Sequence, residues 1–240
     1  MKEEIWYNIG AYYSDRNRLG IGKEGDETMK IVLFGSTGMI GKAILEEALR
    51  RGHEVTAVVR DINKLSGEAG RENLRVITGD ILMPDSVAGA VQGCDLVISA
   101  YGPRFGAENE LSEATRSLIE GARSGGVRRL IAVGGAGGLE VSPGVRLLDS
   151  PEFPEELRPL ARAHEDAFHI YKDSDIVWTV LSPAAVIEPG KRTGQFRIGM
   201  NQLVTDERDQ SRISIEDYAV ALLDEAEDPQ FVQARFTVAY

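Results

Sequence analysis

The residues with the clearest chemical meaning are three glycines spaced three apart, Gly35, Gly38 and Gly41. Between a strand and a helix, such glycines let the backbone approach a pyrophosphate group, and the first N–H groups of the helix attract its negative charge. The spacing is G-x-x-G-x-x-G rather than G-x-G-x-x-G, and glycine loops also serve as plain turns. Since an apolar strand-like run precedes this loop directly, the sequence predicts a nucleotide site. Its residues are Gly35, Ser36, Thr37, Gly38, Met39, Ile40 and Gly41.

The end of the second predicted strand bears on which nucleotide binds. An acidic residue at this point accepts hydrogen bonds from the ribose hydroxyls of NAD, whereas an arginine can bind the 2′-phosphate of NADP. Here the strand ends in Arg60 followed by Asp61. We expect NADP(H) to be preferred because of Arg60, with NAD(H) as the alternative because of Asp61. A solvated arginine at a strand end is the other interpretation of Arg60.

Further candidates follow the later strands. In open α/β sheets, ligands bind beyond the carboxyl ends of the strands. We therefore expect residues at these ends to line the cofactor site. They are Asp80 and Ile81, Ala100, Tyr101 and Gly102, and Gly134 and Pro183.

Strand-like and helix-like segments alternate along most of the chain, and these elements must position the candidate residues. The predicted strands are 30–34, 54–59, 74–78, 96–100, 130–133, 176–181 and 235–239, and the predicted helices are 40–51, 85–91, 112–124, 161–172 and 217–227. Ser214, three residues before Asp217, is a capping signal for the last helix. This pattern predicts a single α/β domain with a doubly wound parallel sheet, the Rossmann fold. The irregular stretches 134–159 and 188–206 are predicted to be loops, the second with or without a short hairpin, that wall the substrate site.

Composition limits the classes of partner and the setting. The 240 residues carry a formal net charge of −11 and 42% apolar residues, which predicts a globular domain that does not bind nucleic acid. One cysteine, Cys94, and the absence of a long apolar run predict a cytoplasmic protein without membrane partners. We expect a monomer or a homodimer. Residues 1–28 lack periodicity, and Met29 stands directly before the first strand. We expect 1–28 to be an upstream extension of domain 29–240, the alternative being an arm that packs on a partner subunit.

From residue 29 to 240 the chain resembles the atypical short-chain dehydrogenase/reductase proteins. It is most similar to the NAD(P)H-binding or NADH-flavin reductase group, whose relatives include biliverdin-IXβ/flavin reductase. The resemblance rests on the ordered series 35–41, 59–60, 79–80, 133–137, 181–184, 189–194, 214–219 and 235–238. It implies a one-domain Rossmann fold, NADPH-type binding and reduction of flavins or quinone-like acceptors.

One expected part of that wider superfamily is missing. Its ordinary members use a Tyr-x-x-x-Lys pair, in which lysine helps tyrosine pass a proton to a carbonyl oxygen. The residues four positions after Tyr101, Tyr171 and Tyr218 are Phe105, Asp175 and Leu222. Glycine and alanine also replace the serine expected after the fifth strand. The sequence therefore disfavours reduction of unactivated ketones and sugar epimerisation, and favours an acceptor that delocalises the added charge.

Three side chains remain as candidates for acting on a substrate. His164, on a helix after the first irregular stretch, is the candidate acid–base group, and the resemblance places a histidine near this position; a half-exposed helical histidine is the alternative. Arg192 and Arg197 are candidates for holding an anionic substrate, the alternative being solvated arginines. The five-residue spacing of His164 and His169 turns about 140° around a helix, so no metal site is expected.

Two functions remain open on the sequence. The first is an NADPH-dependent oxidoreductase that transfers hydride to a small-molecule acceptor such as a flavin, a quinone or a similar conjugated compound. The second is a redox sensor that binds NADP(H) with little or no turnover, which the missing tyrosine–lysine pair keeps open.

Overall fold

The computed structural model describes residues 28–68 and 70–240. Its main feature is an eight-stranded sheet in the order β10-β12-β8-β5-β4-β1-β2-β3. Seven strands run parallel and β10 is antiparallel to β12. The strands are β1 Lys30–Phe34, β2 Glu54–Val59, β3 Leu74–Thr78, β4 Leu96–Ser99, β5 Arg129–Val133, β6 Glu140–Ser142, β7 Val145–Arg146, β8 Val177–Ser182, β9 Val186–Glu188, β10 Arg197–Gly199, β11 Arg212–Ser214 and β12 Ala234–Ala239.

Five α-helices cover the two faces of this sheet. They are α1 Met39–Arg50, α2 Pro84–Val91, α3 Glu110–Ser124, α4 Arg158–Lys172 and α5 Ile215–Glu227. Helices α1 and α5 pack on one face, where Ile31 and Leu33 of β1 point into the core. Helices α2, α3 and α4 cover the opposite face, where Val32 and Phe34 are buried. Both faces of β1 are therefore apolar, as a covered parallel sheet requires.

The order of the strands determines where a ligand can bind. Successive strands spread outward from β1 in one direction through β2 and β3, and in the other through β4 and β5. The connections after β1 and β4 leave for opposite faces and create a crevice at the carboxyl edge of the sheet. The glycine loop between β1 and α1 lies at this crevice.

The predicted fold class is confirmed. The seven predicted strands and five predicted helices are present, with ends shifted by no more than three residues. The capping signal is also confirmed, because the Ser214 hydroxyl accepts a hydrogen bond from the Asp217 amide at 3.0 Å.

The irregular stretches contain more structure than the sequence indicated. The first contains a small hairpin, β6–β7, and three 3₁₀ turns. The second was expected to be a loop or short hairpin, but its strand β10 joins the main sheet as an edge strand. The parallel pair β9–β11 was missed entirely. Each of these strands has two or three residues, too few for an alternating pattern to be visible.

The predicted N-terminal extension lies, apart from Thr28, outside the described residues. Within the described part of the chain, no helix combines the length and apolar character needed to cross a bilayer.

Candidate functional site

The glycine loop is folded so tightly that two of its glycines have no space for a side chain. Gly35 has a φ of +82°, and a Cβ there would lie 2.3 Å from the Ala100 carbonyl oxygen at the end of β4. A Cβ on Gly41 would lie 2.1 Å from the Gly35 carbonyl oxygen. These two glycines therefore bring the loop against β4 and the start of α1 against the loop.

Gly38 differs from its two neighbours because the space beside it is open. It precedes the first residue of α1 with a φ of −77° and a ψ of 167°, which other residues also adopt. A Cβ there would contact only the Gly35 carbonyl oxygen, at an ordinary 3.5 Å. The fold itself thus tolerates a side chain at this position. Because Gly38 has no side chain, a ligand can reach the N-terminus of α1.

That helix N-terminus is available to a ligand. Among the described residues, no side chain caps α1, and the N–H groups of residues 39–41 have no acceptor within the helix. Uncapped N–H groups and the positive end of the helix dipole favour a phosphate group. The Ser36 hydroxyl is buried beside them, and no described residue accepts or donates a hydrogen bond to it. Among the other loop residues, Thr37 and Ile40 are half-buried and Met39 is 70% exposed. The loop therefore fits the pyrophosphate of a dinucleotide.

The two candidate residues after β2 have different surroundings. Arg60 is exposed, and none of the hydrogen bonds or ion pairs of the described residues involves its guanidinium. The Asp61 carboxylate accepts hydrogen bonds from the backbone N–H and the side-chain amide of Asn63, both at 3.0 Å. Asp61 thus stabilises the 3₁₀ turn that follows β2. Arg60 remains available for an anion.

Tyr101, which follows β4, lies near the charged residues that follow β2 and β3. Its hydroxyl donates a hydrogen bond of 2.8 Å to the Glu110 carboxylate at the start of α3. Burial and this bond raise the pKa of Tyr101 to about 12, and the charges of Arg60 and Asp80 act on it in opposite directions. Arg60, Asp80 and Tyr101 therefore lie at one part of the carboxyl edge. Glu110 was missed because no sequence signal pairs it with a tyrosine nine residues earlier.

The neighbouring candidates have mainly structural contacts. Asp80 accepts a hydrogen bond from the Leu82 amide at 3.0 Å, and Ile81 is buried in the core. The Ala100 amide donates to the Phe34 carbonyl at 2.9 Å, which holds the end of β4 beside β1. Gly102 is exposed.

The loop after β5 packs directly on helix α4. The Gly134 amide donates to the Leu181 carbonyl at 2.8 Å, which aligns the ends of β5 and β8. A Cβ on Gly135 would lie 2.8 Å from the Cβ of His164. Glycine is therefore needed in this loop because α4 lies so close to it. Pro183, the last cofactor candidate, is buried after the end of β8.

His164 lies beside this loop as a neutral side chain. The residue keeps partial exposure, yet its imidazole is packed deeply enough that burial lowers its pKa to about 4. Burial disfavours the charged form, so the imidazolium is nearly absent at pH 7. The structure thus brings His164 to the predicted wall, but not in the protonation state of a strong acid.

The two arginines predicted to hold an anionic substrate have protein partners instead. Arg192 makes two hydrogen bonds, of 2.7 and 2.8 Å, to the buried carboxylate of Glu47. Glu47 lies about 12 Å along α1 from its first residue. Arg192 therefore neutralises a buried carboxylate, and its role in holding a substrate stays a prediction.

Arg197 is on the outermost strand, β10. It donates to the carbonyl oxygens of Thr205, at 2.7 Å, and Tyr240. Five strand spacings separate β10 from β1, or about 24 Å. Arg197 therefore ties the sheet edge together and is not brought near the glycine loop.

Comparison with known proteins agrees with this geometry. The family model described as NAD(P)H-binding matches residues 35–226, from the glycine loop to α5. YwnB of Bacillus subtilis, whose function is uncharacterised, is 39% identical over 214 residues, covering 88% of this chain and 98% of YwnB.

Two solved structures are similar over nearly their whole length. One from Bacteroides thetaiotaomicron, provisionally named an epimerase, is 42% identical with a TM-score of 0.83, covering 89% of this chain and 98% of that chain. One from Streptococcus pneumoniae, provisionally named an NADH-flavin reductase, is 33% identical with a TM-score of 0.77, covering 88% and 99%. These names disagree about the reaction. The glycine loop, the strand order and the family match over residues 35–226 all indicate the same NAD(P)H-binding fold. The chain belongs to the NAD(P)H-binding family, which confirms the resemblance found in its sequence.

Proposed function

We propose that the protein is an NADPH-dependent oxidoreductase that transfers hydride to a flavin, a quinone or a similar conjugated acceptor. The observation that carries this proposal is the N-terminus of α1, which Gly38 leaves open, with Arg60 at the end of the neighbouring strand. In the part of the chain that the structure describes, neither has a side-chain partner. Backbone N–H groups would hold the pyrophosphate and Arg60 would hold the 2′-phosphate.

The preference for NADPH over NADH is supported by the contrast between Arg60 and Asp61. A carboxylate that binds ribose hydroxyls must have acceptor capacity free and directed at them. The Oδ1 atom of Asp61 already accepts two hydrogen bonds from Asn63, which leaves only Oδ2 for a ribose hydroxyl. Arg60 has a planar donor array that suits a phosphate and no competing partner in the described chain.

The kind of acceptor is supported by the pKa values of the groups at the carboxyl edge. Burial lowers the pKa of His164 to about 4, and burial together with Glu110 raises that of Tyr101 to about 12. An efficient general acid has a pKa near the working pH, and neither group meets this condition. A bound nicotinamide supplies the hydride. The chain would orient it and the acceptor, while solvent supplies the proton that a delocalised acceptor takes up afterwards.

Absorbance at 340 nm tests this function directly. NADPH should be oxidised in the presence of FMN, FAD or a quinone and much more slowly with a simple aliphatic ketone. Gly38→Val, which leaves the fold intact but closes the phosphate site, is the matched inactive control. Tight NADPH binding without turnover of any of these acceptors would contradict the proposal and support the redox sensor. Faster turnover of the ketone would contradict the argument from pKa values.

A further inference from the structure

Arg235 of β12 is a buried cation whose hydrogen bonds reach three separate segments. It is 8% exposed. Its Nη1 donates to the Glu165 carboxylate at 2.7 Å, its Nη2 to the Gly138 carbonyl at 3.0 Å and its Nε to the Asn201 side chain at 3.3 Å. The Phe168 ring lies 4.4 Å from the guanidinium carbon. The planar fork of arginine suits such a junction, and lysine could not reproduce it.

The three segments are the two irregular stretches predicted to wall the substrate site and helix α4, which carries His164. Gly138 belongs to the loop after β5, which continues from Gly135 beside His164. Glu165 follows His164 directly on α4. Asn201 belongs to the second irregular stretch, which walls the other side. Arg235 therefore acts on both predicted walls and on the helix that carries His164.

Two further contacts show how closely these segments fit. A Cβ on Gly138 would lie 1.6 Å from the Glu165 carboxylate, so the loop backbone lies directly against that side chain. The backbones of the two walls are also joined, since the Glu140 amide donates to the Asn201 carbonyl at 2.8 Å and the Leu203 amide to the Glu140 carbonyl at 2.9 Å. A change at Arg235 or Glu165 would thus be transmitted to both walls.

We propose that Arg235 and Glu165 are a positioning pair that sets the distance between the two walls of the acceptor site. This inference rests on the proposed reductase function. The pair touches neither cofactor nor acceptor, and it acts through Gly138, Asn201 and the helix turn that holds His164. Its effect should therefore fall on the KM for the acceptor and not on the affinity for NADPH, whose site lies across the sheet at β1 and β2.

The chain contains a matched control, an arginine–glutamate pair at the amino ends of the parallel strands. Arg129, at the start of β5, donates to the Glu225 carboxylate at 2.6 Å, and the Glu225 side chain is 2% exposed. This pair is also buried, but it lies at the amino edge, away from both walls. Arg129→Lys should therefore reproduce the stability cost of altering a buried arginine pair without altering the acceptor site.

The experiment compares Arg235→Lys with Arg129→Lys in steady-state kinetics and hydrogen–deuterium exchange. Arg235→Lys should raise the acceptor KM about tenfold, with the NADPH Kd within twofold of the parent value. Exchange should rise in peptides covering 134–142 and 200–204 but not in 35–41. Arg129→Lys should lower the Tm and leave KM and both peptides unchanged. Should Arg235→Lys fail to fold, Asn201→Ala is the second variant, because it removes the side-chain oxygen that accepts from Arg235 Nε and Asn201 is exposed. It should increase exchange in 200–204 and raise the acceptor KM.

The outcomes separate this inference from the proposed function. No turnover by the parent protein refutes the reductase, whereas the exchange measurement still tests the coupling of the walls. Increased exchange with an unchanged acceptor KM would make the pair merely structural and overturn the positioning role. Unchanged exchange, or a loss of NADPH affinity equal to the change in KM, would also overturn it.

Discussion

The two halves of the carboxyl edge are built in different ways. Around β1 and β2, the half proposed to bind the cofactor is shaped by the backbone: glycines at 35, 38 and 41 set the loop beside the start of α1. Around β5, β8 and β12, the half proposed to bind the acceptor is shaped by long-range side-chain contacts such as Arg235 with Glu165. A backbone site depends on a short motif, whereas a side-chain site depends on residues brought together by the whole fold.

The largest expected effect is on the backbone half. Gly38→Val should abolish dinucleotide binding, a loss of at least about 100-fold or about 2.7 kcal/mol, because the side chain would occupy the space of the pyrophosphate. Calorimetric titration with NADPH measures the loss, and circular dichroism checks the fold. Gly89→Val, at an exposed helical glycine with open space beside it, is the control and should bind normally. Retained affinity in Gly38→Val would mean that the loop is only a turn.

The next largest effect is expected at Arg60, the proposed partner of the 2′-phosphate of NADPH. Arg60→Ala should weaken NADPH binding by about 1.5–3 kcal/mol, or roughly 10- to 150-fold, and leave NADH binding nearly unchanged, which narrows the gap between the two cofactors. Arg75→Ala, at an exposed arginine within β3, controls for the loss of one positive charge. Equal affinities of the parent protein for NADPH and NADH would remove the role given to Arg60.

His164 tests whether the acceptor half supplies a proton. Removing a well-placed general acid costs about 10²- to 10⁴-fold in rate. Because its low pKa keeps His164 neutral, His164→Ala should lower flavin or quinone turnover less than about tenfold. Stopped-flow single turnovers with deuterated NADPH isolate the hydride step. A loss of about 10³-fold would identify His164 as a true acid catalyst.

The same histidine should make the fold sensitive to acid. Its pKa in the folded protein, about 4, lies below its usual value of about 6.5, so the unfolded chain takes up the proton first. Its contribution to the free energy of unfolding is complete above pH 6.5 and is lost as the pH falls towards 4. Urea unfolding at pH 7 and pH 5 should therefore show a smaller difference for His164→Gln than for the parent protein. An equal difference in both proteins would contradict the low pKa.

The smallest effect is expected at Arg192. Since its guanidinium is paired with Glu47, which also accepts a hydrogen bond from Arg51 at 2.8 Å, Arg192→Ala should change the acceptor KM by less than twofold. The stability cost should remain under about 1 kcal/mol, because the Arg192 side chain is 40% exposed and Arg51 still pairs with Glu47 in the variant. A large rise in the acceptor KM with an unchanged free energy of unfolding would show that Arg192 binds the substrate.

The sequence predicted the elements that have strong periodicity, and it correctly predicted that the glycine loop joins β1 to α1. Buried parallel strands such as β1 are continuous apolar runs, and the glycine loop is a contiguous motif. Pairings across distant parts of the chain, such as Arg192 with Glu47 or Arg235 with Glu165, leave no local pattern. The short strand β10 was also invisible, because its position is determined by pairing with β12 and not by its own three residues.

The central claim is that the dinucleotide binds along the glycine loop and the end of β2, and amide NMR titration tests it most directly. NADPH should shift the amide resonances of Met39, Ile40, Gly41 and Arg60, whereas NADH should shift those of the loop with a much smaller change at Arg60. Shifts that leave residues 39–41 unchanged, or equal shifts at Arg60 for both cofactors, would contradict the account.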